Sequence, residues 1–386
     1  MVMDAGAARN YIGSYGSFIS PDDFKGKLLI KYLLLSLSTR GCDNKSSLLM
    51  KSMFLTLAIL VMPLLAQAQT LRFRPNGEFK IVQFTDVHYN GSRASQVALS
   101  VVDSVLQHER PDLVVLTGDI VWGKPGRENL LNVLDRVSAY NVPFVYEFGN
   151  HDSEMTGFTN WELYDMARKV KNNILPDLSG SKELDYVLPV LSHDGSRTAA
   201  ALYCLDSHAY PPKVSGKKLG AYAWLTFDQV EWYREKSRQL TRQNGGSPLP
   251  ALAFFHIPVP EYHEAVRNED AILVGTRRET VCSPEFNTGM FTAMMEGGDV
   301  MGIFCGHDHD NDYAVMWHDI LLAYGRYSGG NTVYNHLPCG ARVIVLKEGE
   351  RSFDTYIRER KGRVVNQATY PADFVSDDWE KRPLEE

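Results

Sequence analysis

The sequence lacks a long basic run and a paired-cysteine motif, two features that would direct it to a familiar class of protein. It has no long basic run and a formal net charge of −7, which disfavours a nucleic-acid backbone as the main partner. None of its cysteines forms a C-x-x-C pair, so a zinc ribbon is not expected. An anionic substrate would therefore have to be attracted by a local positive centre, such as a bound metal.

The chain also lacks an apolar run of the roughly 20 residues that a membrane-spanning helix needs. Its clearest apolar run, Phe54 to Leu65, follows the short basic start Met50-Lys51-Ser52-Met53 and precedes Ala66-Gln67-Ala68-Gln69. This pattern predicts a signal peptide over residues 50–68, cleaved near Ala68, and export to the periplasm or the exterior. An uncleaved anchor and a core helix are the alternatives.

Residues 1–49 precede this signal-like segment and show no clear domain pattern. We interpret them as an upstream translation artefact or a leader, with Met50 as the true start. Residues 69–386 contain no internal repeat and no interdomain linker, so they are expected to form a single domain.

From residue 79 to residue 146 the pattern alternates between buried strands and amphipathic helices. Later strands are predicted at 186–191, 199–205, 251–255, 300–305, 313–317, 320–324, 341–346 and 352–358. Residues 261–290 look like an irregular rim or lid. The tail from about Lys361 is polar and is expected to be loosely held.

Polar blocks stand where five of these strands end. They are Asp86-x-His88, Gly118-Asp119, Gly149-Asn150-His151-Asp152, His256 and Gly306-His307-x-His309. Right-handed crossovers bring the carboxyl ends of parallel strands to one edge of a sheet, where ligand sites of open α/β sheets lie. The five blocks should therefore converge, although a single histidine or a Gly-Asp pair alone would more often be a core residue or a turn.

These blocks, in this order, resemble those of the calcineurin-like metallophosphoesterase family over about residues 79–312. The resemblance implies an α/β fold of four layers, αββα, in which two mixed β-sheets are flanked by helices. It also implies two metal ions, divalent or mixed (Mn, Fe, Zn or Mg). The first would be held by Asp86, His88 and His309, the second by Asn150, His256 and His307, and Asp119 would bridge both.

The chemistry of such a site suits a phosphate ester. Two dications close together repel, so a shared carboxylate is needed between them, and neutral Asn150 preserves a net positive charge. A metal-bridging hydroxide would be the nucleophile, and His151 the general acid for the leaving group. Asp152 is predicted to orient His151. Asp308 and Asp310 are predicted partners of the ligating histidines.

One position departs from the purple acid phosphatases, in which a tyrosine three residues after the bridging aspartate binds Fe(III). Here that residue is Trp122, which has no ligating oxygen, so a purple ferric site is not expected. The chain resembles the purple-acid-phosphatase-like proteins of fungi and plants that also lack this tyrosine. Arg326 and Arg93 are candidates to grip phosphate, with a surface salt bridge as the alternative for Arg326.

The predicted function is an exported phosphomonoesterase that acts on a phosphorylated small molecule or protein. A phosphodiesterase or nucleotidase of the same fold is the second interpretation. An inactive metal-binding or protein-binding relative is the alternative from a different class; such a relative would be expected to have lost ligands, and all the family ligands are present.

Overall fold

The structure is a computed structural model that describes residues 70–375. The predicted leader and signal peptide lie outside these residues. In chain order, the described elements are β1 (Glu78–Phe84), α1 (Gln96–Glu109), β2 (Leu113–Thr117), α2 (Gly126–Ser138), β3 (Phe144–Glu147), α3 (Asp152–Thr156), α4 (Asn160–Ala167), β4 (Tyr186–Leu191), β5 (Thr198–Cys204), β6 (Lys213–Val214), β7 (Lys217–Lys218), α5 (Phe227–Gln243), β8 (Ala251–Phe254), α6 (Glu261–Ala265), β9 (Leu273–Val274), α7 (Met290–Gly297), β10 (Val300–Cys305), β11 (Ala314–Trp317), β12 (Ile320–Tyr324), β13 (Gly340–Lys347), β14 (Phe353–Glu359), β15 (Val364–Tyr370) and a 3-10 turn (Ala372–Phe374).

Six strands form the first sheet, in the order β15-β14-β13-β1-β2-β3. β1, β2 and β3 are parallel, and β13, β14 and β15 continue the sheet in antiparallel pairs. The sequence of β2, Leu-Val-Val-Leu-Thr, is buried at every position. Such continuous apolar runs are typical of parallel strands that are covered on both faces.

Seven strands form the second sheet, in the order β4-β5-β8-β10-β12-β11-β9. Its central strands β5, β8, β10 and β12 are parallel, and the outer pairs are antiparallel. Both sheets are therefore mixed. Five of their parallel strands, β1, β2, β3, β8 and β10, end in the polar blocks identified in the sequence.

The two sheets pack face to face, and helices cover both outer faces. Phe304 of β10 meets Phe353 of β14 between the sheets, with ring centroids 5.9 Å apart. On the outside of the second sheet, Tyr233 of α5 packs on Tyr203 of β5 at 5.0 Å. α1 packs against β1, β13 and β14 of the first sheet. This arrangement confirms the predicted four-layer fold.

The predicted strands and the helix at 227–243 are present with small shifts at their ends. The expectation of a loose tail is wrong for residues 361–375, and the rest of that tail lies outside the described residues. β15 pairs with β14 from Val364 to Tyr370. Its sequence, Val-Val-Asn-Gln-Ala-Thr-Tyr, lacks an apolar alternation because it lies at the edge of the sheet and is only half buried.

None of the helices within residues 70–375 combines the length and the apolar character of a membrane span.

Candidate metal centre

The five polar blocks meet where the two sheets end together. The blocks after β1, β2 and β3 come from the first sheet, and those after β8 and β10 come from the second. Side chains of the two sheets come within hydrogen-bond distance there: His88 Nε2 of the first sheet lies 3.1 Å from His309 Nε2 of the second. The site is thus built by the packing of the sandwich, and neither sheet forms it alone.

Asp86, His88 and His309 form a first buried triad that could hold a metal ion. Asp86 Oδ1 lies 3.5 Å from His309 Nε2 and 3.8 Å from His88 Nε2. The other carboxylate oxygen, Oδ2, accepts hydrogen bonds from the Thr85 hydroxyl at 2.7 Å and the His307 backbone N–H at 3.0 Å. One oxygen of Asp86 is therefore fixed by the fold, and the other faces the histidines.

Asp119, His256 and His307 form a second buried triad. Asp119 Oδ2 lies 3.2 Å from His256 Nε2 and also 3.9 Å from His88 Nε2 of the first triad. Asp119 Oδ1 accepts from the backbone N–H of His151 at 2.8 Å. The Asp119 carboxylate therefore borders both triads, as a bridging ligand must.

Hydrogen bonds to backbone carbonyls fix which nitrogen of two histidines is left for a ligand. His256 Nδ1 donates to the Thr117 carbonyl at 2.8 Å, and His309 Nδ1 donates to the Tyr334 carbonyl at 3.0 Å. Because a carbonyl only accepts, Nδ1 carries a proton in each ring, so Nε2, which faces the centre, is the nitrogen that can bind a metal once it is deprotonated. Metal-binding histidines in proteins are commonly held in this way.

Besides His88 Nδ1, four buried polar atoms of the site have no hydrogen-bond partner: Asp86 Oδ1, Asn150 Oδ1, His256 Nε2 and His307 Nε2. An unpaired buried polar atom is costly, so native proteins rarely keep several together without a ligand. All four can donate an electron pair, and mixed carboxylate, amide and imidazole ligands suit divalent transition metals. The residues therefore fit a dinuclear metal centre.

The backbone is unusual at the same residues. Asp86, His88, Asp119 and His307 all have φ between 46° and 76°, a left-handed region that non-glycine residues rarely occupy. Such conformations cluster at functional sites. Two glycines allow neighbouring loops of the site to lie close together. A Cβ on Gly149 would lie 2.1 Å from Asp119 Oδ1, and one on Gly306 would lie 1.8 Å from Thr85 Oγ1.

Electrostatics in the protein alone keep the acids of the site ionised. Burial would raise the pKa of Asp86 and Asp119, but neighbouring histidines outweigh it and hold both pKa values below their usual range. Burial opposes charge on His256, yet Asp119 raises its pKa to about 10. Burial and the positive His256 lower the pKa of His307 to about 3. The site thus concentrates negative charge that a cation can balance.

The sequence profile of the calcineurin-like phosphoesterases matches residues 79–311, which include every one of these ligands. The chain belongs to this family. It is 31% identical to a protein of Arabidopsis thaliana named probable inactive purple acid phosphatase 29, over 77% of this chain and 85% of that one. It is 28% identical to phosphatase DCR2 of Saccharomyces cerevisiae, over 75% of this chain and 55% of that one.

A solved structure supports the fold of this chain. A dimetal phosphatase from Danio rerio superposes with a TM-score of 0.53 and 15% sequence identity, covering 75% of this chain and 98% of that one. Sequence similarity at this level shows the fold alone. The family, the fold and the two triads together support a dinuclear metal centre.

The predicted partner of His151 is wrong. Asp152 is fully buried, and its carboxylate accepts backbone N–H groups of Asp119, Ile120, Val121 and Gly149 at 2.8–3.2 Å. Burial, and then the charge of Asp119, raise the Asp152 pKa to about 6. Asp152 therefore supports the loop that carries the bridging aspartate and does not contact the His151 ring.

The His151 ring is held instead by Glu154, whose carboxylate accepts a hydrogen bond from Nδ1. The two residues are three positions apart at the start of α3, a spacing that places side chains on one helix face. His151 Nε2 lies 4.0 Å from Asp119 Oδ2, and the Trp122 ring packs edge-on against His151 with centroids 4.6 Å apart. The helical spacing was the signal that could have revealed Glu154.

The predicted role of Arg326 is also contradicted, because its side chain is 3% exposed and bound within the protein. It is paired with Asp312 and donates to the Pro338 carbonyl at 2.6 Å. Arg93 lies exposed in the loop before α1, and its role stays a prediction.

Neither Asp308 nor Asp310 bonds to the side chain of a ligating histidine. Asp308 accepts from the Tyr324 hydroxyl and the Cys282 backbone N–H, whereas Asp310 is bound by His336. Both acids therefore hold the loop around His307 and His309 in place. The prediction that they orient the rings of the ligating histidines is wrong.

Four tyrosines beside the ligands were missed in the sequence, and one of them, Tyr327, packs against His309 with ring centroids 4.9 Å apart. Tyr222 packs edge-on against His307 with centroids 4.4 Å apart, and Tyr334 stacks on His309 at 4.5 Å. The Tyr210 hydroxyl accepts from Asn150 Nδ2 at 3.3 Å. They lie in irregular segments far from the motif blocks, so no local pattern marked them.

Proposed function

We propose that the protein is an exported phosphomonoesterase that works with two metal ions. The observation that carries this proposal is the position of Asp119, whose Oδ2 borders histidines of both triads. Asp86, His88 and His309 would hold one ion, and Asn150, His256 and His307 the other. Trp122 in place of a phenolate ligand favours divalent or mixed metals (Mn, Fe, Zn or Mg) over a purple ferric site.

Bound metals would supply positive charge for the phosphoryl oxygens and lower the pKa of a coordinated water. The chain itself supplies the remaining parts. Asp152 fixes the backbone around Asp119, so the carboxylate stays aimed between the triads. His151 is free of both triads and is positioned to give a proton to the leaving group, with Glu154 keeping the proton on Nδ1 when the ring is neutral.

The substrate is proposed to be a phosphorylated small molecule or protein, with Arg93 as a candidate contact for its phosphate. A phosphodiesterase or nucleotidase remains the second interpretation, because the same two triads could serve either ester. The test compares p-nitrophenyl phosphate with bis-p-nitrophenyl phosphate, with Mn, Zn, Fe or Mg added to the purified protein. Faster hydrolysis of the diester would overturn the assignment as a monoesterase.

A second candidate is a relative that binds metal without catalysis, because one similar Arabidopsis thaliana protein is named as probably inactive. Against it stands the full ligand set in this chain. Metal analysis together with the substrate panel separates the two. Two metal ions per chain with no turnover of any ester would favour the inactive relative.

Export is proposed from the signal-like segment at residues 50–68. N-terminal sequencing of the native protein would test it. A mature chain that begins near Gln69 is expected, whereas one that begins before Met50 would contradict both the cleavage and the interpretation of residues 1–49.

A further inference from the structure

We propose that Tyr210 and Tyr222 form an aromatic subsite for the leaving group, so that the preferred substrates are phosphate esters with a planar aromatic leaving group. The inference rests on the proposed phosphoesterase function. It extends that function from a reaction type to a class of substrate.

Tyr222 forms one side of this subsite and packs against a histidine of the second triad. Its ring meets the His307 ring edge to face, with centroids 4.4 Å apart and an interplanar angle of 89°. The residue is half-buried, so part of the ring remains open to a ligand. A group bound against Tyr222 therefore lies beside a ligand of the proposed second metal.

Tyr210 links the second triad to the proton donor. Its hydroxyl accepts from Asn150 Nδ2 at 3.3 Å and also interacts with the carboxylate of Glu154. Glu154 in turn holds the His151 ring. Although its hydroxyl is engaged in this way, Tyr210 is 42% exposed.

Because Tyr210 lies close to His151, the position of the proton donor indicates which part of the substrate contacts the two tyrosine rings. A general acid must lie within hydrogen-bond reach of the atom that it protonates, here the ester oxygen of the leaving group. The leaving group therefore emerges past His151. Tyr210, whose hydroxyl is bonded to Asn150 next to His151 in the chain, stands beside this exit.

The two rings have the relative orientation expected of a stacking surface. They are nearly parallel, at 23°, with centroids 6.5 Å apart, at the wide end of the range for aromatic pairs. Lys218 Nζ lies 5.5 Å from the Tyr210 centroid and adds a positive charge at the rim. A flat, electron-rich ring can gain binding free energy by stacking on both tyrosines, whereas a flexible alkyl chain gains less binding free energy from them.

Stacking of this kind predicts about a 3- to 10-fold preference for each ring contact. The probe is a pair of phosphonates that cannot be hydrolysed, phenylphosphonate and propylphosphonate. Their dissociation constants are measured by calorimetry on the Mn-loaded full chain. Wild type should bind phenylphosphonate more tightly, and Tyr210→Leu and Tyr222→Leu should each reduce that ratio about 3- to 10-fold.

Two further variants serve as controls. Tyr210→Phe keeps the ring and should keep the ratio, even if loss of the hydroxyl weakens both phosphonates through Asn150. Tyr334→Leu removes a tyrosine that is 53% exposed and stacks on His309 of the first triad, so it should leave the ratio unchanged.

Equal loss of both phosphonates in Tyr210→Leu and Tyr222→Leu would overturn the subsite, as would a wild type that shows no preference or binds neither compound. The same ratio measured as kcat/KM for phenyl phosphate and propyl phosphate separates the two proposals. Phenyl preference in binding without turnover would refute the enzyme and keep the subsite. Turnover with no phenyl preference in binding would support the enzyme and refute the subsite.

Discussion

Two groups of charged side chains are buried in this protein, and they differ in how their polar atoms are paired. The first is the candidate metal centre, in which Asp86 Oδ1, His256 Nε2 and His307 Nε2 have no hydrogen-bond partner. The second, here called the arginine cluster, consists of Arg326, Arg342 and Asp312. Both groups are nearly inaccessible to solvent, so burial alone does not distinguish them.

In the arginine cluster the guanidinium groups are satisfied within the protein. Arg342 donates to the Tyr324 carbonyl at 2.6 Å, the Thr355 hydroxyl at 3.0 Å and the Asp312 carbonyl at 2.7 Å. Arg326 Nε donates to Asp312 Oδ2 at 3.0 Å. A network in which every polar atom is paired stabilises the fold. A group of buried donor atoms without partners indicates a binding site for a ligand.

The largest effect is expected from the residue shared by both triads. Asp119→Asn should lower kcat/KM by more than about 1000-fold, because the amide removes the negative charge between the two proposed ions. Metal content should fall as well, measured by elemental analysis. Activity and metal content close to those of wild type would show that the open atoms are not a metal centre.

Arg326→Ala should act on stability and not on substrate binding. It leaves Asp312 buried without its ion-pair partner, which predicts a loss of about 4 kcal/mol in the free energy of unfolding, measured in urea. The matched variant Arg93→Ala removes an exposed arginine and should leave stability unchanged. A stable Arg326→Ala protein with a raised KM would restore Arg326 as a phosphate ligand.

Asp185 is an intermediate case, since one of its oxygens is paired and the other is not. Oδ1 accepts from Gln229 Nε2 at 2.9 Å, Oδ2 has no partner, and burial raises the pKa to about 7. The folded state therefore holds a proton that the unfolded chain releases near pH 4. Stability from this group is present below pH 4 and is lost as the pH rises to about 7.

Asp185→Asn should remove that pH dependence. The unfolding free energy of the variant relative to wild type should rise by on the order of 3 kcal/mol between pH 4 and pH 8. Urea unfolding of both proteins at several pH values measures the difference. A difference that stays constant with pH would mean that the carboxyl is ionised in the folded state.

Glu154→Gln should give the smallest effect, a loss of about 10-fold in kcat/KM, because it weakens the hold on the His151 ring and leaves the triads intact. The loss should be greater for alkyl phosphates, which need a proton, than for p-nitrophenyl phosphate. His151→Ala should show the same dependence more strongly while metal content is unchanged. An equal loss for all leaving groups would exclude His151 as the acid.

The sequence was sufficient to predict the strands and the convergence of their polar ends. Apolar runs such as Leu113 to Leu116 mark buried strands, and parallel strands align their carboxyl ends. These two facts bring Asp86 and Asp119 to one edge of the first sheet, and the packing of the second sheet on the first then adds His256. Motif order then resembles one family closely enough to predict the fold.

The sequence could not show how side chains outside the motifs are paired. Arg326 follows a buried strand as a ligand would, and only the three-dimensional structure shows that Asp312 and Glu359 face it. The adjacent Asp152 seemed the natural partner of His151, yet helix geometry favours Glu154. Edge strand β15 was missed because a half-buried edge needs little apolar sequence.

Trp122 has a consequence for how this centre can be observed. Its indole packs edge-on against both His151 and His88, at 4.6 and 5.2 Å. His88 belongs to the first triad, so a metal ion bound there should change the surroundings of the Trp122 indole and with them its fluorescence emission. The chain has six tryptophans, and the Trp122→Phe difference isolates this one. The residue that replaces the colour-giving tyrosine thus provides an optical reporter of its own.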